Sequence, residues 1–156
     1  RIFDEKILSE IAACAASDAP ISVLIVDVDY FKKYNDNYGH PEGDRCLTLL
    51  GNSLRESLNR DNQVVARYGG EEFALILPDT DIQEALRLGQ TIIRNVFSLH
   101  IEHAFSPFGR VTVSVGISTA RAVDIAGSQQ NIIIAADQAL YQAKRAGRNR
   151  HAFVAV

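Results

Sequence analysis

Two adjacent glutamates follow a glycine pair in the stretch Arg67-Tyr68-Gly69-Gly70-Glu71-Glu72-Phe73. Apolar runs flank it at residues 64–68 and 73–77, and a Gly-Gly step between such runs predicts a hairpin, because both glycines tolerate a positive φ. Side chains alternate along a strand, so Glu71 and Glu72 are expected on opposite faces, one of them toward a site. Taken alone, the stretch fits a charged turn that keeps a hairpin in solution equally well.

A second pair of carboxylates ends a predicted buried strand. The run at residues 21–26 is continuous and rich in β-branched side chains, which is typical of a strand covered on both faces, and Asp27 and Asp29 follow it. Positions i and i+2 of a strand share a face, so this pair suits a divalent metal ion. Polar residues that simply mark the end of the strand are the alternative.

Basic residues lie near these carboxylates in the sequence and again near the end of the chain. The pair Lys32-Lys33 belongs to a predicted short helix whose first backbone amides suit a phosphate, although a solvated lysine pair is the commoner arrangement. Lys144 and Arg148, four residues apart at a helix end, suit either phosphate binding or capping of the helix carbonyls. The chain has no glycine-rich loop ending in Gly-Lys-Ser/Thr, which excludes P-loop chemistry.

The elements that must position these groups follow from hydrophobic periodicity. Helical spacing marks residues 2–16, 30–39, 45–58, 82–99 and 132–146, and strand patterns mark 21–26, 64–68, 73–77, 110–118 and 152–154. Asp44 is expected to be the N-cap of the helix at 45–58. The order predicts an α/β fold, an α+β sandwich of the ferredoxin-like or palm type with a central mixed, mainly antiparallel sheet flanked by helices. Asp27 can then lie beside Glu71, where the two share one or two divalent ions.

Composition bounds the classes of function. The chain has 156 residues, 47% of them hydrophobic and 22% charged, which fits one globular domain. Its net charge of −3 argues against non-specific nucleic-acid binding. Cys14 and Cys46 lack metal-ligand spacing and are expected to be buried free thiols in a reducing cytosol.

Other features of the chain carry less information about function. Neither a membrane span nor a signal peptide is apparent, and the chain begins at Arg1 without any Met, so we expect a cytoplasmic fragment of a longer protein with membrane or sensory segments of its own. His100 and His103 have no carboxylate or cysteine at ligand spacing, and the sequence assigns them no role.

The stretch at residues 67–73 resembles the signature of GGDEF domains, the diguanylate cyclases, in its Glu-Glu variant. Further blocks are similar to the family in the same order: Asp27-Val28-Asp29-Tyr30-Phe31-Lys32-Lys33-Tyr34-Asn35-Asp36, Gly39-His40, Gly43-Asp44, Val113-Ser114-Val115-Gly116-Ile117-Ser118 and residues 136–149. The resemblance covers nearly the whole chain. Only the start is short, because family members carry an Asp-x-Leu-Thr-Gly-Leu-x-Asn-Arg run there and this chain begins at its last arginine.

The resemblance implies condensation of two GTP into cyclic di-GMP with release of pyrophosphate, by two copies of the domain placed face to face. It also implies that Asp27 and Glu71, with the backbone carbonyl of Val28, hold Mg²⁺ or Mn²⁺. Glu72 would complete the acidic site, either as a second metal ligand or by assisting deprotonation of the 3′-hydroxyl.

The same resemblance assigns substrate-binding roles. Asn35 and Asp44 match the positions that read guanine, and a carboxylate there accepts from the N1–H and N2–H₂ groups, which adenine does not present. Gly69 and Gly70 would let the hairpin backbone approach the nucleotide. The positions that match triphosphate contacts are Phe31, Lys32, Lys144 and Arg148.

One motif departs from the family. Many members bind their product, and are inhibited by it, at an Arg-x-x-Asp motif before the signature, and the matching residues here are Arg60 and Gln63. Gln63 offers no carboxylate to guanine, and Asp61 is out of register, so we expect weak or absent product inhibition. A GTP-binding regulatory domain without turnover, a product receptor and a palm of another nucleotidyltransferase family are the alternatives to an active cyclase.

Overall fold

The computed structural model describes residues 2–156, with side-chain burial from Glu5 onward; Arg1, the last position of the family's N-terminal run, lies outside the described residues. Among these residues, no helix has the length and apolarity needed to cross a bilayer. The elements in chain order are α1 (Ile2–Ala16), β1 (Pro20–Val28), α2 (Phe31–Tyr38), α3 (His40–Ser57), β2 (Val64–Arg67), β3 (Glu72–Pro78), α4 (Ile82–Phe97), β4 (Val113–Arg121), α5 (Ala122–Ile125), α6 (Gln130–Arg145) and β5 (His151–Phe153).

Strand β1 is the centre of a five-stranded sheet of order β2-β3-β1-β4-β5. It pairs antiparallel with β3 and β4, and β5 lies parallel to β4 at one edge. The apolar run of β1 is continuous because a central strand is covered by helices on both faces. Leu24 and Val26 pack into the core under α3 and α4, whereas Val23 and Ile25 pack on the side of α1 and α6. The predicted mixed, mainly antiparallel sheet flanked by helices is confirmed.

The register of the strands brings acidic residues to one end of the sheet. Asp27 pairs with Glu72 on β3 and with Ser114 on β4. The Val28 N–H donates to the carbonyl oxygen of Glu71 at 3.4 Å. The antiparallel pairing of β1 with β3 and β4 therefore sets Asp27, Glu71 and Glu72 at the same end of the sheet.

The hairpin between β2 and β3 differs from the prediction in its turn. The loop comprises residues 68–71, and the N–H groups of Tyr68 and Gly69 both donate to the carbonyl oxygen of Glu72, at 2.8 and 3.3 Å. Neither Gly69 nor Gly70 adopts a φ in the left-handed region, and a Cβ on Gly70 would meet no atom within 4 Å. The turn therefore does not require glycine, and the space in front of it is open.

Helix α3 begins at His40, earlier than its apolar stripe indicates. Gly39, with a φ of 92°, ends α2 and is the N-cap of α3. Pro41 fits the first turn, where its missing N–H has no helical acceptor. The prediction of Asp44 as the N-cap is wrong, because Asp44 lies inside the helix.

The connector at residues 121–130 contains a short helix that the sequence did not predict. Its Ala122 and Ile125 are buried in the same cluster as Ile7 and Ile11 of α1. Gly and Ser around α5 hide this single apolar turn from a periodicity argument.

The two cysteines are buried and free, as predicted. Burial alone raises the pKa of Cys46 to about 12, so its thiol stays protonated in the folded chain.

Candidate active site

Two adjoining clefts open at the end of the sheet that carries Asp27. The wide cleft has a volume of about 360 Å³ and is lined by Phe31, Asn35, Asp44, Leu47, Arg67, Gly70, Glu71 and Glu72. The narrow cleft has a volume of about 170 Å³ and is lined by Asp27, Val28, Asp29, Tyr30, Phe31, Lys32, Glu71, Lys144 and Arg148. Phe31 and Glu71 belong to both clefts, so a single extended ligand can span them.

Asp27 is a buried carboxylate with one oxygen free. Its side chain is 5% exposed; Oδ2 forms an ion pair with Lys144, whereas Oδ1 has no hydrogen-bond partner in the described part of the chain. Burial raises the pKa of Asp27, and the hydrogen bond and charge of Lys144 oppose that shift. A buried anionic oxygen without a donor is unfavourable, so this atom is suited to a further cation.

Three more carboxylates increase the demand for positive charge. Burial raises the pKa of Glu71 and of Glu72, and the charge of Asp27 adds to both shifts. Asp137 on α6, which the sequence did not single out, has its pKa raised by burial and contributes to the shift of Glu72. Lys144 lowers the pKa of both glutamates, and the same ammonium also opposes the shift of Asp27, so one cation acts on three carboxylates.

The acidic end is not a closed metal cage. Within residues 2–156, no three His, Cys, Asp or Glu side chains are grouped so that they hold a metal ion by themselves. Mg²⁺ in nucleotide sites takes one or two carboxylates and completes its shell with phosphate and water. The free Oδ1 of Asp27, with Glu71 in the same narrow cleft, fits that mode of binding.

Asp29 does not act as the second carboxylate of a metal-binding pair. It accepts from Thr112 Oγ1 at 2.8 Å, from Ser114 Oγ at 2.6 Å and from the Asn149 N–H at 3.0 Å. With these donors Asp29 joins the end of β1 to the start of β4 and to the corner after α6. The shared face of Asp27 and Asp29 therefore serves two purposes, and only Asp27 keeps an oxygen free.

The cations reach the narrow cleft from different elements. Helix α6 ends at Arg145 and Gly147 has a φ of 130°, so Lys144 and Arg148 do not share a helix face as the spacing predicted. Both nevertheless line the narrow cleft, where the Arg148 guanidinium lies 4.9 Å from the centroid of the Tyr30 ring. Lys32 is 88% exposed and pairs with Asp36 at 3.2 Å, so it is free to turn toward an anion.

Asn35 and Asp44 meet in the wide cleft, although they lie on different helices. Asn35 Oδ1 is buried and has no hydrogen-bond partner within residues 2–156. Gly43 makes this possible, because a Cβ at that position would clash with the Asn35 carboxamide. Asp44 is exposed on α3 beside it. The wide cleft is thus lined by an amide and a carboxylate, of which the Asp44 carboxylate is exposed.

Arg60 and Gln63, which match the ends of the Arg-x-x-Asp motif, lie at the other end of β3. Arg60 donates to the carbonyl oxygen of Asp79 at 2.8 Å and pairs with Glu84. Gln63 is buried, and its Oε1 accepts from the N–H groups of Asn59 and Arg60 at 3.0 and 3.2 Å. The structure does not bring these residues to the clefts.

Sequence reasoning also missed His103, to which it assigned no role. The side chain is fully buried, and its Nε2 lies 3.0 Å from the carbonyl oxygen of Tyr30 at the start of α2. The contact joins residues 73 positions apart. No local pattern in the sequence signals it.

The chain belongs to the GGDEF family, described as "Diguanylate cyclase, GGDEF domain", whose model matches residues 1–150. It is 42% identical over 129 residues to the diguanylate cyclase DgcM of Escherichia coli, a match that covers 83% of this chain and 30% of DgcM. The GGDEF domain of DgcB from Caulobacter crescentus, solved with c-di-GMP, superposes with a TM-score of 0.84 at 30% identity and covers 98% of this chain and 87% of that one. The active GGEEF domain of a diguanylate cyclase from Vibrio cholerae gives 0.80 at 31% identity, covering 94% and 90%.

The chain spans well under half the length of these curated relatives, 30% of DgcT of Escherichia coli and 28% of PleD of Caulobacter vibrioides. The structural matches confirm the fold, a five-stranded, mainly antiparallel sheet flanked by helices.

Proposed function

We propose that this chain is a diguanylate cyclase domain that condenses two GTP into cyclic di-GMP and two pyrophosphates. The observation that carries the proposal is the junction of the two clefts. One cleft offers open groups that match a guanine edge, and the other offers carboxylates and cations that match a metal-bound triphosphate. They meet at Phe31 and Glu71.

Guanine binds in the wide cleft. Asp44 accepts from the N1–H and N2–H₂ groups, and Asn35 supplies the acceptor and the donor of a carboxamide to the rest of the base edge. The buried Oδ1 of Asn35 gains a hydrogen bond that it lacks in the free chain. Adenine has an acceptor at N1 and no amino group at C2, so it cannot donate to Asp44 as guanine does, and the pair therefore selects guanine.

The triphosphate extends into the narrow cleft. The first amides of α2, at Phe31 and Lys32, lie at the positive end of the helix and receive phosphate oxygens. Lys144 and Arg148 line the same cleft and contribute positive charge. Gly69 and Gly70 leave the hairpin backbone accessible to the nucleotide.

Asp27, the backbone carbonyl of Val28, Glu71 and Glu72 would hold Mg²⁺ or Mn²⁺. When bound, such an ion would neutralise charge on the phosphates and favour ionisation of the attacking hydroxyl. Glu72 would act either as one of these ligands or by assisting deprotonation of the 3′-hydroxyl. The 3′-oxygen forms a bond to an α-phosphorus while the bond from that phosphorus to the bridging oxygen of the pyrophosphate breaks.

Two domains are needed, because one domain binds one GTP. Each 3′-oxygen must lie in line with the α-phosphate held by the other copy. We propose that a transient homodimer forms for catalysis, and that the chain works within a longer protein whose other segments, sensory or membrane-bound, bring two domains together. GTP and the two buried free thiols fit the cytoplasm.

Product inhibition through the Arg60 segment is expected to be weak. Arg60 is held by Glu84 and by a backbone carbonyl, and Gln63 supplies no carboxylate to guanine. A submicromolar inhibition constant that disappears in Arg60→Ala would overturn this expectation.

The test uses the chain fused to a dimeric coiled coil. Conversion of GTP to cyclic di-GMP is measured by chromatography, first for reactions with Mg²⁺ and then for reactions with Mn²⁺. Glu71→Ala is the test variant, and Glu56→Ala, an exposed glutamate on α3, is the control. We expect product from the parent and from Glu56→Ala, and none from Glu71→Ala.

The other outcomes separate the alternatives. Tight metal-dependent GTP binding without product would make the chain a nucleotide-sensing domain. Absence of GTP binding would contradict the proposed function altogether.

A further inference from the structure

His103 lies in the segment between α4 and β4, which folds back on itself as a small hairpin. Glu102 and Arg110 form an isolated antiparallel bridge, and the His103 N–H donates to the carbonyl oxygen of Gly109 at 3.2 Å. The His103 side chain is fully buried, which is rare for a histidine in a connecting segment. The backbone hydrogen bonds of the hairpin fix the position of His103, from which its ring extends.

The ring contacts the first turn of α2. Its Nε2 is 3.0 Å from the carbonyl oxygen of Tyr30. A carbonyl oxygen only accepts, so Nε2 carries the hydrogen and the ring is the Nε2–H tautomer. Nδ1 is buried and has no hydrogen-bond partner among the described residues. The ring's one hydrogen bond is therefore directed at Tyr30.

Aromatic contacts hold the imidazole against the inner side of α2. Its ring meets the Tyr34 ring edge-on with centroids 5.2 Å apart, and the Tyr38 ring with centroids 6.1 Å apart. The neighbouring Ala104 N–H donates to the Tyr38 hydroxyl at 2.9 Å. The hairpin thus grips α2 at both ends, through Tyr30 and through Tyr38.

Tyr30 is the residue at which the chain turns from β1 into α2. Its φ of 56° is in the left-handed region, which is unfavourable for a tyrosine. Its carbonyl oxygen also accepts from the Tyr34 N–H at 3.1 Å, the first hydrogen bond of the helix. Two donors on one carbonyl, from His103 and Tyr34, stabilise a turn that the residue itself disfavours.

We propose that His103 is a positioning residue for the nucleotide site: its Nε2–H holds Tyr30 in the left-handed turn that directs the first amides of α2 and the Asn35 side chain toward the clefts. This inference rests on the proposed function for its ligand, but its structural part concerns α2 alone. The side-chain hydrogen bond and the ring contacts of His103 go to Tyr30, Tyr34 and Tyr38, so we expect it to act on the ligand by way of α2.

The test compares variants of His103 that keep or lose the donor. His103→Leu removes it, whereas His103→Gln keeps an N–H able to reach a nearby carbonyl. His100→Gln is the matched control, because His100 is exposed in the same segment. Tyr38→Phe removes only the hydroxyl that accepts from Ala104 and so weakens the contact between the hairpin and α2. This variant replaces His103→Leu if that chain does not fold.

Two measurements are made on the 156-residue chain. The first is hydrogen exchange of the Tyr34 amide relative to the amides of β1, without nucleotide. The second is the affinity for 3′-deoxy-GTP with Mg²⁺, a ligand that cannot react because it lacks the attacking hydroxyl.

We expect His103→Leu to speed exchange at Tyr34 about tenfold more than in β1 and to weaken 3′-deoxy-GTP binding about tenfold, as one lost hydrogen bond with an acceptor left underused predicts. Tyr38→Phe should act in the same direction by about threefold, and His103→Gln and His100→Gln should stay within about twofold of the parent.

Equal acceleration at Tyr34 and in β1 would overturn the proposal, since it would mean that His103 only stabilises the whole fold. Unchanged exchange and affinity in His103→Leu would overturn it as well. If the parent chain binds no 3′-deoxy-GTP, the proposed function fails, and a selective change in Tyr34 exchange still supports the positioning role.

Discussion

Residues that the family resemblance marks for nucleotide binding lie near both ends of strand β3. The two groups of residues differ in whether their polar atoms already have hydrogen-bond partners. At the Glu72 end, Asp27 Oδ1 and Asn35 Oδ1 are buried without hydrogen-bond partners in the described chain. At the Pro78 end, Arg60 and Gln63 direct their polar atoms to neighbouring carbonyl, carboxylate and amide groups.

The difference teaches that residue type alone does not define a binding site. A buried polar atom without a partner costs about 1–3 kcal/mol, which a ligand recovers when it binds. The unpaired atoms at the Glu72 end therefore destabilise the chain without a ligand, and a bound ligand removes that cost. The Pro78 end has already formed its hydrogen bonds, and a ligand there must first break them.

The largest expected effect comes from removing the buried charge at the Glu72 end. Asp27→Asn should reduce cyclic di-GMP formation by about 10³-fold or more, because the amide is a poor ligand for Mg²⁺ and leaves Lys144 without its ion pair. The assay is product formation by the coiled-coil fusion. Asp61→Asn, an exposed residue of the Arg60 segment, should remain close to the parent. Similar losses in both variants would break the contrast between the two ends.

The next effect concerns stability at the Pro78 end. Arg60→Ala should lower the free energy of unfolding by about 2 kcal/mol, because it removes a partly buried ion pair with Glu84 and a hydrogen bond to Asp79. Urea denaturation measures this change. Arg87→Ala, which removes an exposed arginine of α4 that forms no ion pair within the described part of the chain, should change stability by less than about 0.5 kcal/mol. A stable Arg60→Ala chain with altered product binding would mean that Arg60 serves a ligand and not the fold.

Much of the Glu72 end was accessible from the sequence. The order of the elements predicted that the end of β1, with Asp27, lies beside the hairpin that carries Glu71, and both residues line the narrow cleft. The exact register, with Asp27 opposite Glu72, comes from the structure. The same argument could not assign Asp29, because its donors at Thr112, Ser114 and Asn149 lie 83 to 120 positions away.

Short-range patterns also failed where tertiary packing decides the backbone. The first turn of α3 contains Pro41 and Gly43, which read as a turn, but Gly43 is needed so that the Asn35 side chain can lie against the helix. The role of His103 depends on one contact to a backbone carbonyl. Backbone carbonyls have no sequence signature, so no pattern of side chains could have predicted that contact.

A smaller effect is expected from opening the Pro78 end. Gln63→Asp combined with Glu84→Ala supplies a carboxylate and releases Arg60, and should tighten cyclic di-GMP binding about tenfold, the scale of one charge-assisted hydrogen-bonded contact. Gln63→Asp alone should change the affinity for cyclic di-GMP little, because Arg60 stays paired with Glu84. Calorimetric titration of cyclic di-GMP into each variant measures this. Equal affinity in the single and double variants would show that the ion pair does not limit binding.

The smallest expected effect tests whether the Glu72 end is held ready for a cation. Lys144 and a metal ion compete for Asp27, since the ammonium already contacts Oδ2. Lys144→Met should therefore tighten Mn²⁺ binding without nucleotide by about threefold to fivefold, the scale of a partly exposed ion pair. Free Mn²⁺ measured by electron paramagnetic resonance follows this binding directly. Lys32→Met is the control, because Lys32 is exposed and pairs with Asp36 instead. If Lys144→Met weakened Mn²⁺ binding, the ammonium would be supporting the metal site and not occupying it, and the free oxygen of Asp27 would need another explanation.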